Sequence, residues 1–296
     1  MKAALILLLI PWARAGDFDP AAGQPGSLAI PLDDPRIQSW ATEVHSYHPG
    51  ADLDETWQDP TRALGPATGD PLDITGLGRG GDIEFVWTHP LTNGPGPDIA
   101  IFENSFSDRF LELAHVEVSS DGLHWQRFPS ISQTAQAVGG FGTTDPTNLH
   151  GLAGKYRAGF GTGFDFSTLP KKPLVDREAI RFVRLIDVVG DGSDLDSLGH
   201  PIYDPYPTFG SAGFDLDGVA VLAPPPLTLL KTEIAEASLT FTWAVEPGKT
   251  YQIETSPDLS VWSPVTNLTP VTRQLTHSPP RDTAQFLRLR ELAETP

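Results

Sequence analysis

The chain reads as an all-β protein built from two sandwiches, a larger one followed by a smaller. Three observations predict this. Ala114, Val116 and Val118 alternate with His115, Glu117 and Ser119, the period-2 pattern of a half-buried strand. The same run closes on Asp121-Gly122, a strong short-range hairpin signal. Glycine and proline number 28 and 29 in 296 residues, so turns interrupt the chain too often for long helices and suit many short strands.

Residues 1–15 carry one early basic residue, Lys2, then the apolar run AALILLLI and an Ala13-Arg14-Ala15 ending. This is the three-part form of a secretory signal peptide and predicts cleavage after Ala15, hence a secreted or cell-surface protein. The apolar run is far below the roughly 20 residues that span a bilayer. Losing Lys2 and Arg14 would take the net charge from −18 by two units to −20. A chain this acidic repels phosphate backbones and anionic lipid, which argues against nucleic-acid partners and membrane insertion. There is no cysteine, so disulfide staples and thiol chemistry are excluded. About 280 mature residues exceed the usual single core of roughly 100–200 and predict two domains.

Residues 16–82 are loop-rich; SLAIPL reads as an edge strand and SWATEVHSY as a short helix or strand. Glycines 76, 78, 80 and 81 then punctuate a turn before a strand in which Ile83, Phe85 and Trp87 alternate with Asp82, Glu84 and Val86. No helix pattern and no Lys-Ser/Thr pair follows those glycines, so they read as a turn and not as a phosphate loop. The apolar strand IAIF ends in Glu103-Asn104 and leads to the Asp121-Gly122 hairpin. Residues 129–178 form a long polar stretch whose Phe141, Tyr156, Phe160, Phe164 and Phe166 suggest a self-packed loop or a ligand-contacting surface. AIRFVRLIDVV (179–189) and GFDLDGVAVL (213–222) return to the core.

The proline-rich 223–228 marks a domain boundary, giving a signal peptide at 1–15, a larger domain at 16–222 and a smaller one at 229–296. In the last, SLTFTWAV, TYQIETS, VWSPV and QFLRLREL each alternate as short strands. One internal echo stands out. SSDGLHW (119–125) and TSPDLSVW (255–262) both place a Ser, a turn Asp and, four residues after that Asp, a Trp; shared hairpin geometry accounts for it.

The hairpin VEVSSDGLHWQRF with IRFVRLIDV is similar to the discoidin-like, galactose-binding-like β-sandwich pattern. The combination ALGPATGD, LGRGGDIEFVW, NGPGPDIAIFENSF, ELAHVEVSSDG, DPTNLHGLAGKY and GFDLDGVAVL resembles a group of exported bacterial cell-surface proteins, over roughly residues 45–222. FTWAVEPGKTYQIETSPDLSVWSPV with QFLRLREL resembles an immunoglobulin- or fibronectin-like module of bacterial exported proteins. These likenesses imply a jelly-roll-like sandwich followed by a fibronectin- or immunoglobulin-like one. They imply location better than chemistry, because such sandwiches host many functions.

Chemistry is read from carboxylates embedded in apolar strands. Simple alternation places Asp215, Asp217, Val219 and Val221 on one face, and Asp187 on a face with Val183, Leu185 and Val189. With Glu103 and Asn104 these supply five oxygen ligands suited to calcium, expected as a stabilising ion. The competing reading is that the acids accept backbone hydrogen bonds in turns, or pair with Arg181 and Arg184. The acidic loop 191–204 departs from an EF-hand, since Leu198 and Pro205 fall at ligand positions. No HExxH arises from the eight histidines, and neither His45 with His48 nor His115 with His124 has zinc-site spacing. No GxSxG supports serine hydrolysis; Gly210-Ser211-Ala212-Gly213 lacks its spacing. No catalytic residue is therefore named. Trp40, Trp57, Trp125 and Tyr206 are candidates for sugar stacking or for core packing. The expectation is a non-catalytic, calcium-stabilised exported module that recognises a glycan or another extracellular ligand. The alternatives are a secreted carbohydrate-active enzyme, with acids paired across a sugar, and a structural surface-layer component.

Overall fold

The computed structural model describes residues 16–171, 174–223, 229–234, 239–245, 247–272, 274–279 and 286–292. The signal-like residues 1–15 and, apart from Ala223, the proline-rich break lie outside them. Among the described residues no helix is long and apolar enough to cross a membrane.

Two antiparallel sheets make the larger sandwich. The first runs in the order Ile30–Pro31, Phe160–Phe164, Ile99–Glu103, Asp215–Leu222, Ile37–Trp40, with Thr75–Gly76 also paired to Asp215–Leu222. The second runs Val44–His48, Asp82–Leu91, Ile180–Asp187, Ala114–Ser119, Gln126–Arg127. Alternation explains why they stack. Ile99 and Ile101 point into one core with Ile83, Phe85, Val116, Val118, Val183 and Leu185 from the facing sheet. Ala100 and Phe102 point the other way, into a cluster with Ile30, Ala220, Leu222 and Trp40. The first sheet is thus covered on both faces, which is why IAIF is continuously apolar rather than alternating.

Both halves of SWATEVHSY are strand. Ile37–Trp40 and Val44–His48 sit at edges of different sheets, so the chain crosses between layers at residues 41–43. The stretch 129–178 is only partly a loop. Tyr156, Phe164 and Phe166 are buried in it, but Phe160–Phe164 pairs with Ile99–Glu103. Its glycines disguise it: a Cβ on Gly161 would lie 2.8 Å from the Phe102 ring, so close packing requires the residue that breaks the strand pattern.

Asp215–Leu222 corrects the alternation expected for it. Its pairing with Ile99–Glu103 shifts register between Leu216 and Gly218, and Leu216 joins Val219 and Val221 against the inner core. A bulge of this kind spends one extra residue and resets the period of 2. Asp215 and Asp217 consequently do not share the face of Val219 and Val221.

The acidic loop 191–204 is a hairpin of Asp191–Leu195 with Pro201–Tyr203. Its acids serve backbone: Asp194 accepts from Val189 N at 2.9 Å, and Asp196 accepts from the N–H groups of Ser132, Leu198 and His200 at 2.8–3.0 Å.

The smaller sandwich comprises Leu229–Ile234, Leu239–Ala244 and Gln274–His277 in one sheet, and Ser263–Leu268, Tyr251–Ser256 and Phe286–Glu291 in the other. Trp243 and Leu275 from one sheet meet Tyr251 and Ile253 from the other in a shared core.

Candidate functional site

Antiparallel pairing puts the end of one central strand beside the start of its neighbour, since Glu103 is registered with Leu216. Asn104 N–H donates to the Asp215 carbonyl at 3.2 Å, closing that junction. The chain then makes a tight loop in which the Ser105 hydroxyl bonds the carbonyls of Ser107 and Phe110. That loop stacks Phe106 on Phe110, ring centroids 4.6 Å apart, and delivers Glu112 back to the junction. On the far side, Thr208 and Ser211 come from residues 204–213, pinned where Gly213 N–H donates to the Thr208 hydroxyl at 3.1 Å.

Together these segments enclose a cavity of about 390 Å³. Glu103, Glu112 and Asp215 supply its acids, and Trp57, Phe106, Phe110, Phe141 and Phe209 its aromatic lining; no Lys, Arg or His is among the lining residues. Three of the five aromatics are presented to solvent rather than packed away: Phe106 and Phe209 are each 73% exposed and Phe141 is 95% exposed. Next to Phe141, Gly140 packs so closely on the Pro207 carbonyl that a Cβ would sit 2.2 Å from it.

Electrostatics make the acids unusual. Glu103 is buried and accepts from Ser105 N–H at 2.7 Å. Burial, then the charge of Asp215, push its carboxyl well above the ordinary value. Glu112 is raised well above its ordinary value by burial, then by Asp215 and Glu103. Asp215 is pushed up to about 8, chiefly by burial. Glu112 Oε1, Asp215 Oδ1 and Asn104 Oδ1 are buried without any hydrogen-bond partner. An unmet buried acceptor costs about 1–3 kcal/mol, more if charged. Three around one cavity describe a site made to meet donors.

The five expected calcium ligands are not brought to one point. Glu103, Asn104 and Asp215 line the cavity. Asp217 instead accepts from Thr68 and Gly69 N–H at 2.9 and 2.8 Å. Asp187 accepts from Gly80 and Phe214 N–H, both at 2.8 Å. Among the described residues no group of three or more His, Asp and Glu side chains is disposed to hold a metal ion. Of the histidines weighed for zinc, His48 pairs with Asp82, His124 with Asp121, and His45 packs edge-on against Phe182, while His115 is buried with neither ring nitrogen hydrogen-bonded.

Of the aromatic candidates, Trp57 lines the cavity. Trp40 packs on Phe102, Trp125 lies beneath the Arg184 guanidinium, and Tyr206 meets Arg79. Glu112, Phe106 and Phe209 escaped the sequence reading. Glu112 had a readable signal, a carboxylate between the apolar Leu111 and Leu113; Phe106 and Phe209 sit in loops whose convergence is purely tertiary.

Fold and site together define an all-β sandwich protein with an acid-floored, aromatic-rimmed cavity at one end of its larger sandwich. No family model matches the chain, and no curated protein matches it.

Proposed function

We propose that this is an exported binding module that captures an extracellular glycan in the Glu103–Glu112–Asp215 cavity without turning it over. The observation that carries the reading is the pairing of solvent-facing Phe106, Phe141 and Phe209 with buried, partnerless carboxylate oxygens in the same hollow. Aromatic faces cover the apolar faces of sugar rings, while carboxyl oxygens take hydroxyl protons, so both halves of the lining have work on such a ligand. The discoidin-like likeness of the hairpin and the signal-like leader point the same way.

A carbohydrate-active enzyme is the second reading, favoured by one observation: Asp215, with its proton affinity raised by burial, could serve as a general acid. Passing polysaccharides over the immobilised full chain separates the two. Retention without released sugar, abolished in Phe209→Ala, is the expected result. Product release that disappears in Asp215→Asn would establish the enzyme, and neither retention of nor product release from any polysaccharide would remove both readings. A calcium clamp, expected from the sequence, would draw on Glu103, Asn104 and Asp215 here; melting with calcium and with chelator checks it.

A further inference from the structure

Resting on the glycan reading, we infer that the cavity selects a sugar bearing a protonated amine, such as a glucosamine unit. Glu112 is 6% exposed and Asp215 7% exposed, yet Glu112 Oε1 and Asp215 Oδ1 have no partner. Both residues line the cavity alongside Glu103, and no basic side chain lines it to neutralise them. Glu112 meets the hydroxyl of Thr208 and Asp215 that of Ser211, both neutral partners; burying carboxylates without a cation is costly, so a bound molecule that brings its own positive charge gains most there.

Three features point to an ammonium on an organic ligand rather than a metal ion. The acids are not disposed as a metal-holding group. A hollow of about 390 Å³ is far larger than an ion and falls in the range of small-molecule sites. A rim of Phe106, Phe141 and Phe209 contributes nothing to a metal, but it covers a ring face and adds cation–π attraction to a nearby ammonium. An ammonium offers three donors, matching the orphan acceptors Glu112 Oε1, Asp215 Oδ1 and Asn104 Oδ1. A lysine side chain carries the same donors on a slim stem and would leave the aromatic rim bare.

Isothermal titration calorimetry of the full chain tests this with four probes: a glucosamine tetramer, its fully N-acetylated counterpart, a lysine-rich peptide and calcium chloride. The glucosamine tetramer is expected to bind at least tenfold more tightly than the other three. Its binding should release protons, seen as a heat that changes between buffers of different protonation enthalpy, because the buried carboxyls must ionise to meet the ammonium. Glu112→Gln and Asp215→Asn should each weaken it tenfold or more while leaving the melting temperature unchanged or raised, which separates lost recognition from lost folding. Equal binding of the acetylated tetramer overturns the amine inference while leaving glycan capture intact. Preferred binding of the peptide or of calcium overturns it too, as does failure of the glucosamine tetramer to bind.

Discussion

Asp187 and Asp217 show how a buried carboxylate is used when no ligand is involved. Each spans two backbone N–H groups from a separate segment, Gly80 and Phe214 for Asp187 and Thr68 and Gly69 for Asp217. They act as pins holding turns to strand ends. A hydrogen bond contributes about 0.5–1.5 kcal/mol net, and a buried N–H group left without its acceptor costs about 1–3 kcal/mol. Asp187→Ala is therefore expected to lose roughly 3–5 kcal/mol in urea unfolding, whereas Asp187→Asn, which keeps one acceptor oxygen, should lose less. A loss under about 1 kcal/mol for the alanine variant would deny the pinning role. Gly213 is part of the same device. Its φ is +69°, and a Cβ there would meet Asp187 Oδ1 at 2.5 Å, so Gly213→Ala is expected to destabilise through both strain and displacement of the carboxylate.

At the scale of the element, the echo between the two sandwiches proves to be a complete structural unit. In the larger one the Ser119 hydroxyl accepts from Asp121 and Gly122 N–H, and Asp121 accepts from Leu123 and His124 N–H. In the smaller one Ser256 and Asp258 do the same for the N–H groups of Asp258, Leu259, Ser260 and Val261. Two residues before each Ser stands a glutamate that pairs with an arginine on the adjacent strand: Glu117 with Arg184, Glu254 with Arg288. Each arginine lies over the tryptophan that closes the hairpin, Arg184 at 4.1 Å from the Trp125 ring and Arg288 at 4.2 Å from Trp262. A planar guanidinium can satisfy the carboxylate and stack on the ring at once, which an ammonium does less well. Arg184→Lys and Arg288→Lys should each cost about 0.5–2 kcal/mol by thermal or chemical unfolding. Equal stability for wild type and both lysine variants would reduce the unit to a coincidence of spacing.

For the whole molecule, buried acids set the pH dependence. Asp98 is pushed up to about 7, and Asp187 and Asp215 to about 8, with burial the leading cause in each against an ordinary value of 3.8. Between roughly pH 4 and 8 the folded chain thus holds more protons than the unfolded chain, so stability falls as pH rises through that window. Glu117 runs the other way. Burial pushes its carboxyl up, but bonds from Arg184 and Arg127 outweigh that and hold it below its usual 4.5, so its contribution disappears only in acid. Melting temperature should peak in mildly acidic buffer and decline toward pH 9; a rise across pH 5–9 would contradict the assignment. Limited proteolysis of the full chain should cut within residues 223–228 and release the two sandwiches, each with its own core; resistance there would join them into one unit.

What the sequence determined by itself was everything that depends on near neighbours along the chain. Period-2 runs such as 114–119, the Asp121-Gly122 hairpin and the repeated Ser-Asp-Trp spacing translate directly into strands and turns, because alternation and turn chemistry are local, although Ala114–Ser119 is buried on both faces and not half-buried as alternation suggests. Three of the five residues expected to act together, Glu103, Asn104 and Asp215, do line one cavity, since Glu103 ends one strand, Asn104 follows it and Asp215 begins the neighbouring strand of the same sheet. Tertiary structure decided the rest. Phe160–Phe164 is a strand by its pairing with Ile99–Glu103, where Gly161 leaves room for the Phe102 ring. A bulge at Leu216–Gly218 turned Asp215 and Asp217 away from the face that simple alternation assigns them. Glu112, Phe106 and Phe141 reach Asp215 across roughly 70–110 residues of chain, a convergence written in no local pattern, because it depends on which loops the stacked sheets leave at the same end.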